Sequence, residues 1–583
     1  MIKLGTVFSG IGAIEHALNR MGLDNKIVFA CDNGDINILT KSIDTDIDEI
    51  DLELKHLTSE IKEVRFSDDV DALYKDQLEG MLLASNDEYN DVKALLHDVP
   101  AHDNTELFNV TDDLLKSGRL KAARSREYQK RMTRLGSGSY ENQRLEEFLL
   151  LLAFSNDFRD NNDLLTDAGL KDRVALLLER FEKDNGRKLI RRVIDLAQRT
   201  SMLYEKINYL AVQKKLSSMG NNWKARKEYV DSLYDGMESR NKVKKSYMAN
   251  YDINPDDYHW NVAFLDGKQY AGQVDLFVGG SPCQSFSFVG KQRGLDDTRG
   301  TLFYEYARLI DEIKPKVFIY ENVRAVTSHD GGKTWKKMQQ VFRELDYNFS
   351  WKILNARDYG VPQNRERLYV VGFRNDLKLD TPFEFPKPIP LKRKMKDYLL
   401  DNAPGGYFLP EKGVQFVTSE KNLSKKYTQI DGDIQLCQKR NQQFNWHGDF
   451  VFQSVEDAEK NHIPDLEKYF LSEKVRKYVL SSGTKNFYSK PETDLEVARP
   501  LLTTMHKMHR AGVDNYVTTE GRLRKLTPRE CLRLMGFSDS FKIVVSDTSM
   551  YQQAGNSIVV DVLIHIMNQI LKSYPALSNH QGD

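Results

Sequence analysis

The stretch Val274-Asp275-Leu276-Phe277-Val278-Gly279-Gly280-Ser281-Pro282-Cys283-Gln284-Ser285-Phe286-Ser287 decides the fold. A short apolar run bounded by turn residues reads as a buried strand. In open α/β sheets ligands collect in the crevice outside the carboxyl ends of strands, so the loop from Gly279 onward is expected at such a crevice. The chain opens in the same way. Lys3 to Ser9 reads as a strand, Gly10-Ile11-Gly12 as a tight turn, and Ile14, Leu18 and Met21 recur at helical spacing. Further strands are predicted at Ile27 to Ala30, Val317 to Tyr320, Ser350 to Leu354 and Leu368 to Phe373, with a helix carrying Leu302, Tyr306, Leu309 and Ile313 among them. This alternation predicts an α/β sheet.

With 583 residues the chain is too long for one ordinary core, and more than one compact unit is expected. Lys and Arg total 84 against 85 for Asp and Glu, so any nucleic-acid surface has to be a local patch rather than a whole-protein field. The four cysteines (Cys31, Cys283, Cys437 and Cys531) are scattered with no CxxC pair, which argues against a disulfide framework and a zinc site. The apolar run Phe148 to Phe154 is far shorter than a membrane span needs. A cytoplasmic, metal-free, monomeric protein with no membrane association is the expectation.

The sheet pattern is interrupted. Residues 36–240 are charged and helical in pattern, with Ile190, Val193, Ala197, Thr200, Tyr204, Ile207 and Ala211 tracing one face. They are read as a helical insertion. Its basic stretch Arg119 to Arg134 is taken first as a solvated helix face; contact with DNA phosphates is the alternative, and docking of a partner protein is a further role for the insertion. Residues 375–521 are irregular, rich in Gly, Pro and aromatics in 375–496, and read as a small separate domain. The sheet domain is thus expected in three parts, 1–35, 241–374 and 522–583, closed by a helix from Val559 to Leu571.

The Gly10/Gly12 turn is a weak signal alone, but Asp32 at the end of the next strand is placed to accept ribose hydroxyls, which points to a nucleoside cofactor. Six short motifs follow in order: Gly279 to Ser287, Lys291-Gln292-Arg293-Gly294 with Arg299-Gly300-Thr301-Leu302-Phe303, Glu321-Asn322-Val323, Gln363-Asn364-Arg365-Glu366-Arg367, Arg499-Pro500-Leu501, and Gln553-Ala554-Gly555-Asn556-Ser557-Ile558. In these the chain closely resembles the DNA cytosine-5 methyltransferases, over 1–35 and 241–583, the insertion lying outside the resemblance. Ala13 stands where the family often has Gly, and Asp32 where it commonly has Glu.

The resemblance implies a Rossmann-like, class I S-adenosylmethionine-dependent methyltransferase sheet and a target-recognition domain in 375–521. It implies Cys283, Glu321, Arg365 and Arg367 as catalytic residues. Phe8, Gly10, Gly12, Asp32, Asp266, Pro282, Leu302, Asn556 and Ser557 are implied as binders of S-adenosylmethionine, with Asp266 on the adenine amino group and Phe8 stacked on its ring. Duplex DNA is the implied substrate, and host-DNA protection in restriction-modification or phage defence the implied task. Chemistry accounts for the residue types: cytosine C5 is a poor nucleophile until a thiolate adds at C6, and an acid at N3 assists that addition. Two rival readings are an RNA methyltransferase of the same fold and a silent DNA-binding subunit.

Overall fold

The computed structural model describes the chain except residues 64–68, 101, 118–119, 121, 161–167, 282–301, 401–406, 408, 410, 440–446, 454–512, 516–521 and 579–583. It forms two compact units, one of Met1–Ile36 with Asn221–Asp583, the other of Asn37–Gly220.

The first unit is built on β1 (Ile2–Val7), β2 (Asn25–Cys31), β3 (Tyr258–His259), β4 (Leu276–Gly279), β5 (Val317–Val323), β6 (Tyr347–Asn355), a two-residue β7 (Gln363–Asn364) and β8 (Glu366–Arg374). Seven of these make one sheet in the order β3-β2-β1-β4-β5-β8-β6. Within it β8 runs antiparallel to both β5 and β6, while the other pairings are parallel. This is a Rossmann-like α/β sheet, with the strand order reversing between β1 and β4. The period-two alternation sorts the strands onto two cores. Leu276, Val278, Val317 and Ile319 face one cluster, which includes Val560, Leu563 and Ile566 of the C-terminal helix. Phe277, Phe318 and Tyr320 face the other, with Phe303, Tyr306, Met338 and Phe342.

Short β3 escapes the sequence reading because two residues, Tyr258 and His259, carry no period to detect. Helix Lys242–Asn250 begins at Asn241, whose side chain donates to the Asp32 carbonyl at 3.0 Å, so the chain rejoins the sheet at the carboxyl end of β2, where it left. Asp547–Ser573, with a mean hydropathy of 1.3, matches a membrane span by composition. In the fold it is two helices, Asp547–Asn556 and Val560–Ser573, whose apolar residues fill the core.

A small four-stranded sheet lies beyond β8, formed by β9 (Tyr427–Ile430), β11 (Gly448–Gln453), β12 (Val513–Asn515) and β13 (Arg522–Lys525). Because β13 pairs with β11, residues 522–525 belong to this sheet rather than to the C-terminal part of the large one. Strand β10 (Gln435–Leu436) instead pairs with β7 of the first domain.

The second unit is all helix around its own core, and it closes at Gly220, whereas helix Trp223–Ser232 belongs to the first unit. Its longest helix, Gly186–Ser218, buries the expected face from Ile190 to Ile207, but Val212 and not Ala211 continues it inward. The basic stretch is largely paired internally. Arg124 meets Asp157 at 2.7 Å, Lys130 and Arg134 meet Asp44 at 3.4 and 3.1 Å, and Arg131 meets the fully buried Glu146 at 2.9 Å. Arg119 and Lys121 lie outside the described residues.

Candidate active site

The crevice in which a nucleoside cofactor is expected lies at the carboxyl ends of β1 and β2. Phe8, Gly10 and Gly12 take φ of 52°, 54° and 75°, the left-handed region in which glycine carries no penalty and Phe8 is unusual. Gly12 is also a close approach: a Cβ there would fall 2.2 Å from the Tyr251 ring, while at Gly10 the nearest atom, the Phe8 carbonyl oxygen, would be 3.9 Å away. Asp32 ties the two loops together, its carboxylate accepting from Gly10 N at 2.9 Å and from Gly34 N at 2.8 Å. The loop is propped from behind by Tyr251, whose hydroxyl donates to the Ile11 and Gly12 carbonyls.

Beneath the same loop, Glu15 is buried, accepting from Thr6 Oγ1 at 3.1 Å and from the Tyr247 hydroxyl, while its second oxygen has no partner among the described residues. Burial raises this carboxyl to about 7, against the opposing Tyr247 hydrogen bond. The pairing of Glu15 with Tyr247 was not expected from the sequence, since nothing in local spacing joins residue 15 to residue 247.

Asp266 stands differently from the other implied cofactor residues. Its carboxylate pairs with Arg226 at 3.1 Å and caps the short helix Gly267–Tyr270 through Lys268 N. Leu302 starts helix Leu302–Ile313 and is partly buried against the core. Asn556 is exposed, and Ser557 is buried with its carbonyl turned to Arg365. Pro282 and Cys283 lie outside the described residues, as do Lys291 to Gly294, Arg299 to Thr301 and Arg499 to Leu501.

The root of the Pro-Cys loop is nevertheless in place. A Cβ on Gly280 would meet the Glu321 carbonyl at 2.9 Å and its carboxylate at 3.0 Å, so only glycine lets β4 end this close to Glu321. Glu321 and Arg367 lie on neighbouring antiparallel strands and form an ion pair of 3.2 Å. Burial raises the Glu321 carboxyl above its ordinary range, opposed by the charges of Arg367 and Arg365.

Arg365 is buried and acts as a three-way tie. Its guanidinium donates to the carbonyls of Gln438, Gly555 and Ser557, and its backbone N–H donates to Asn355 Oδ1. Its described contacts are thus architectural, joining β7–β8, the small domain and the C-terminal helices. Gln363 does the same, donating to the Leu534 carbonyl and accepting from Gln438 N. Cys437 lies with its Sγ 3.6 Å from Arg365 and 3.7 Å from Arg367. Burial pushes its thiol up, but Arg367, Arg365 and Lys439 outweigh it and leave the thiol more acidic than usual.

The family model described as C-5 cytosine-specific DNA methylase matches residues 227–572. The chain belongs to this family. Among curated relatives, this methylase is 34% identical over 302 residues to the Type II methyltransferase M.HhaI of Haemophilus parahaemolyticus, covering 51% of the chain and 75% of the relative. It is 31% identical over 337 residues to M.HpaII of Haemophilus parainfluenzae, covering 57% and 80%. A solved DNMT2 variant of Spodoptera frugiperda aligns at 18% identity and a TM-score of 0.37, over 56% of this methylase and 89% of that chain.

Proposed function

We propose that the protein methylates C5 of cytosine within a specific duplex DNA sequence, with S-adenosylmethionine as donor, through a covalent bond between Cys283 and C6 of a flipped-out base. The observation that carries this reading is the contact of Gly280 with Glu321, beside Arg367: it sets the root of the Pro-Cys loop against an acid with a raised pKa.

The residues around Gly10 and Gly12 fit the cofactor, since a Gly10 Cβ would meet nothing closer than 3.9 Å and Asp32 follows β2 beside the same loop, held to it through Gly10 N. When bound there, the cofactor supplies an electrophilic methyl on sulfonium sulfur. The Cys283 thiolate forms a bond to C6, and Glu321 gives a proton or hydrogen bond to N3 as the ring takes up the electron pair. C5, made nucleophilic by this addition, would be the atom to receive the methyl that the cofactor would supply. Loss of the C5 proton to a base restores the C5–C6 double bond and expels the thiolate. Arg367 holds Glu321 and reaches the base O2. The base has to leave the helix stack because C6 is closed to a side chain within a duplex. Target choice belongs to 375–521, and the Type II relatives support host-DNA protection in restriction-modification as the setting.

Cys283→Ser tests the mechanism, because a serine hydroxyl is a poor nucleophile without a dedicated base. The variant is expected to lose methyl transfer and covalent capture of a 5-fluorocytosine duplex while retaining DNA and cofactor binding. Bisulfite sequencing of a methylation-free host expressing the protein reads the target, and parallel assays on duplex DNA and total tRNA separate DNA from RNA as substrate.

A further inference from the structure

Two hydroxyls meet under the root of the Pro-Cys loop. Ser281 Oγ and Tyr320 Oη are 2.7 Å apart, and the Asn322 side-chain amide donates to Tyr320 Oη at 2.7 Å and to the Ser281 carbonyl at 3.2 Å. All three residues are buried. Tyr320 and Asn322 alternate with Glu321 along β5, so Ser281 is clasped on one side of the strand while Gly280 abuts Glu321 itself. Cys283 follows Ser281 by two residues in the sequence.

We infer that Tyr320 is a positioning residue for the nucleophile: its hydroxyl fixes Ser281, and with it the direction in which the chain departs toward Cys283 relative to Glu321. This rests on the proposed mechanism. Three observations support it. The Tyr320 ring has no freedom of its own, since it packs among Phe303, Tyr306 and Phe342 at centroid distances of 5.7, 5.0 and 5.9 Å. The hydroxyl is therefore a fixed point. Ser281 does not need it for solubility, because a buried serine in this position gains nothing from water, and its hydroxyl is satisfied within the clasp. Finally, Ser281 is tied to the acid's own strand, so the start of the loop that leads to the nucleophile shares one reference with Glu321, and attack at C6 demands a defined geometry.

Tyr320→Phe keeps the ring and deletes the hydroxyl. In the full-length chain, the rate of covalent capture of a 5-fluorocytosine duplex is expected to fall about tenfold, the scale of one buried hydrogen bond. Dissociation constants for cofactor and duplex are expected to stay at wild-type values, while Tm falls by a few degrees because Ser281 and Asn322 lose a buried partner. Ser281→Ala removes the same contact from the other side and serves if the tyrosine variant fails to fold. The double variant should be no slower than the slower single one. Capture by Tyr320→Phe at the wild-type rate overturns the inference, as does a double variant in which the two losses multiply. A wild-type chain that captures no duplex overturns the mechanism together with the inference, so the two failures are distinguishable.

Discussion

Arg367 Nε lies 3.2 Å from Glu321 Oε1, an ion pair formed across two antiparallel strands in which Val323 sits opposite Arg367. The pairing register fixes it, so the acid is held at a defined point of the sheet rather than on a loop. Yet burial still raises the Glu321 carboxyl, which favours the protonated form needed to assist at N3.

Glu321→Gln is accordingly expected to slow single-turnover methyl transfer by about 10², the scale of general acid catalysis, with cofactor affinity unchanged. In the wild type the rate should decline as pH rises through the raised carboxyl pKa, because the acid is lost there. The glutamine variant should lack that limb. A rate–pH profile of the two proteins checks this, and an unchanged rate removes Glu321 from the site.

Arg365→Lys should cost about 2 kcal/mol of stability in the first unit, because an ammonium cannot reproduce a planar fork directed at three backbone carbonyls. All five tryptophans (Trp223, Trp260, Trp335, Trp351 and Trp446) lie outside 37–220, so tryptophan fluorescence during urea unfolding reports this unit selectively. A midpoint equal to that of the wild type would show that the tie carries no load.

Glu15 makes stability pH-dependent. Its folded-state pKa of about 7 exceeds the ordinary 4.5, so the native state holds a proton that the unfolded chain releases. The stabilisation is full below about 4.5 and is lost as pH rises toward about 7, on the order of 3 kcal/mol in all. Glu15→Gln should flatten Tm against pH over that interval. A wild-type slope that persists in the variant assigns the effect to another group.

Replacing 37–220 by a short Gly/Ser linker should leave the salt dependence of DNA binding unchanged. A phosphate-binding role for Arg119 to Arg134 would have predicted a shallower slope, but Arg124, Lys130, Arg131 and Arg134 are engaged with Asp157, Asp44 and Glu146. Equal slopes of log affinity against log salt for the two proteins are the expected result. A slope shallower by one or more for the deletion restores the phosphate reading.

The strands were legible because alternation is a local property. Those at 2–7, 25–31, 317–323, 347–355 and 366–374 all appear within a few residues of their expected bounds, whereas β3 is too short to show a period. Helix Gly186–Ser218 was legible for the same reason, from its stripe of apolar residues. Boundaries fared less well. The exit of the helical unit at Gly220 and the reach of the small sheet to Lys525 depend on which partner an element packs against.

By itself the sequence determined the α/β class, the interrupted sheet, and the order of motifs that mark a C-5 cytosine-specific DNA methylase, since each is written in neighbouring residues. Only the tertiary structure decided that Arg365 spends its donors on three carbonyls, that Cys437 sits beside two arginines, that Glu15 lies under Tyr247, and that Tyr320 clasps Ser281. The physical reason is the same in each case. These contacts join residues from 39 to 232 positions apart, and a buried polar group finds its partner through strand register and packing, to which local spacing gives no clue.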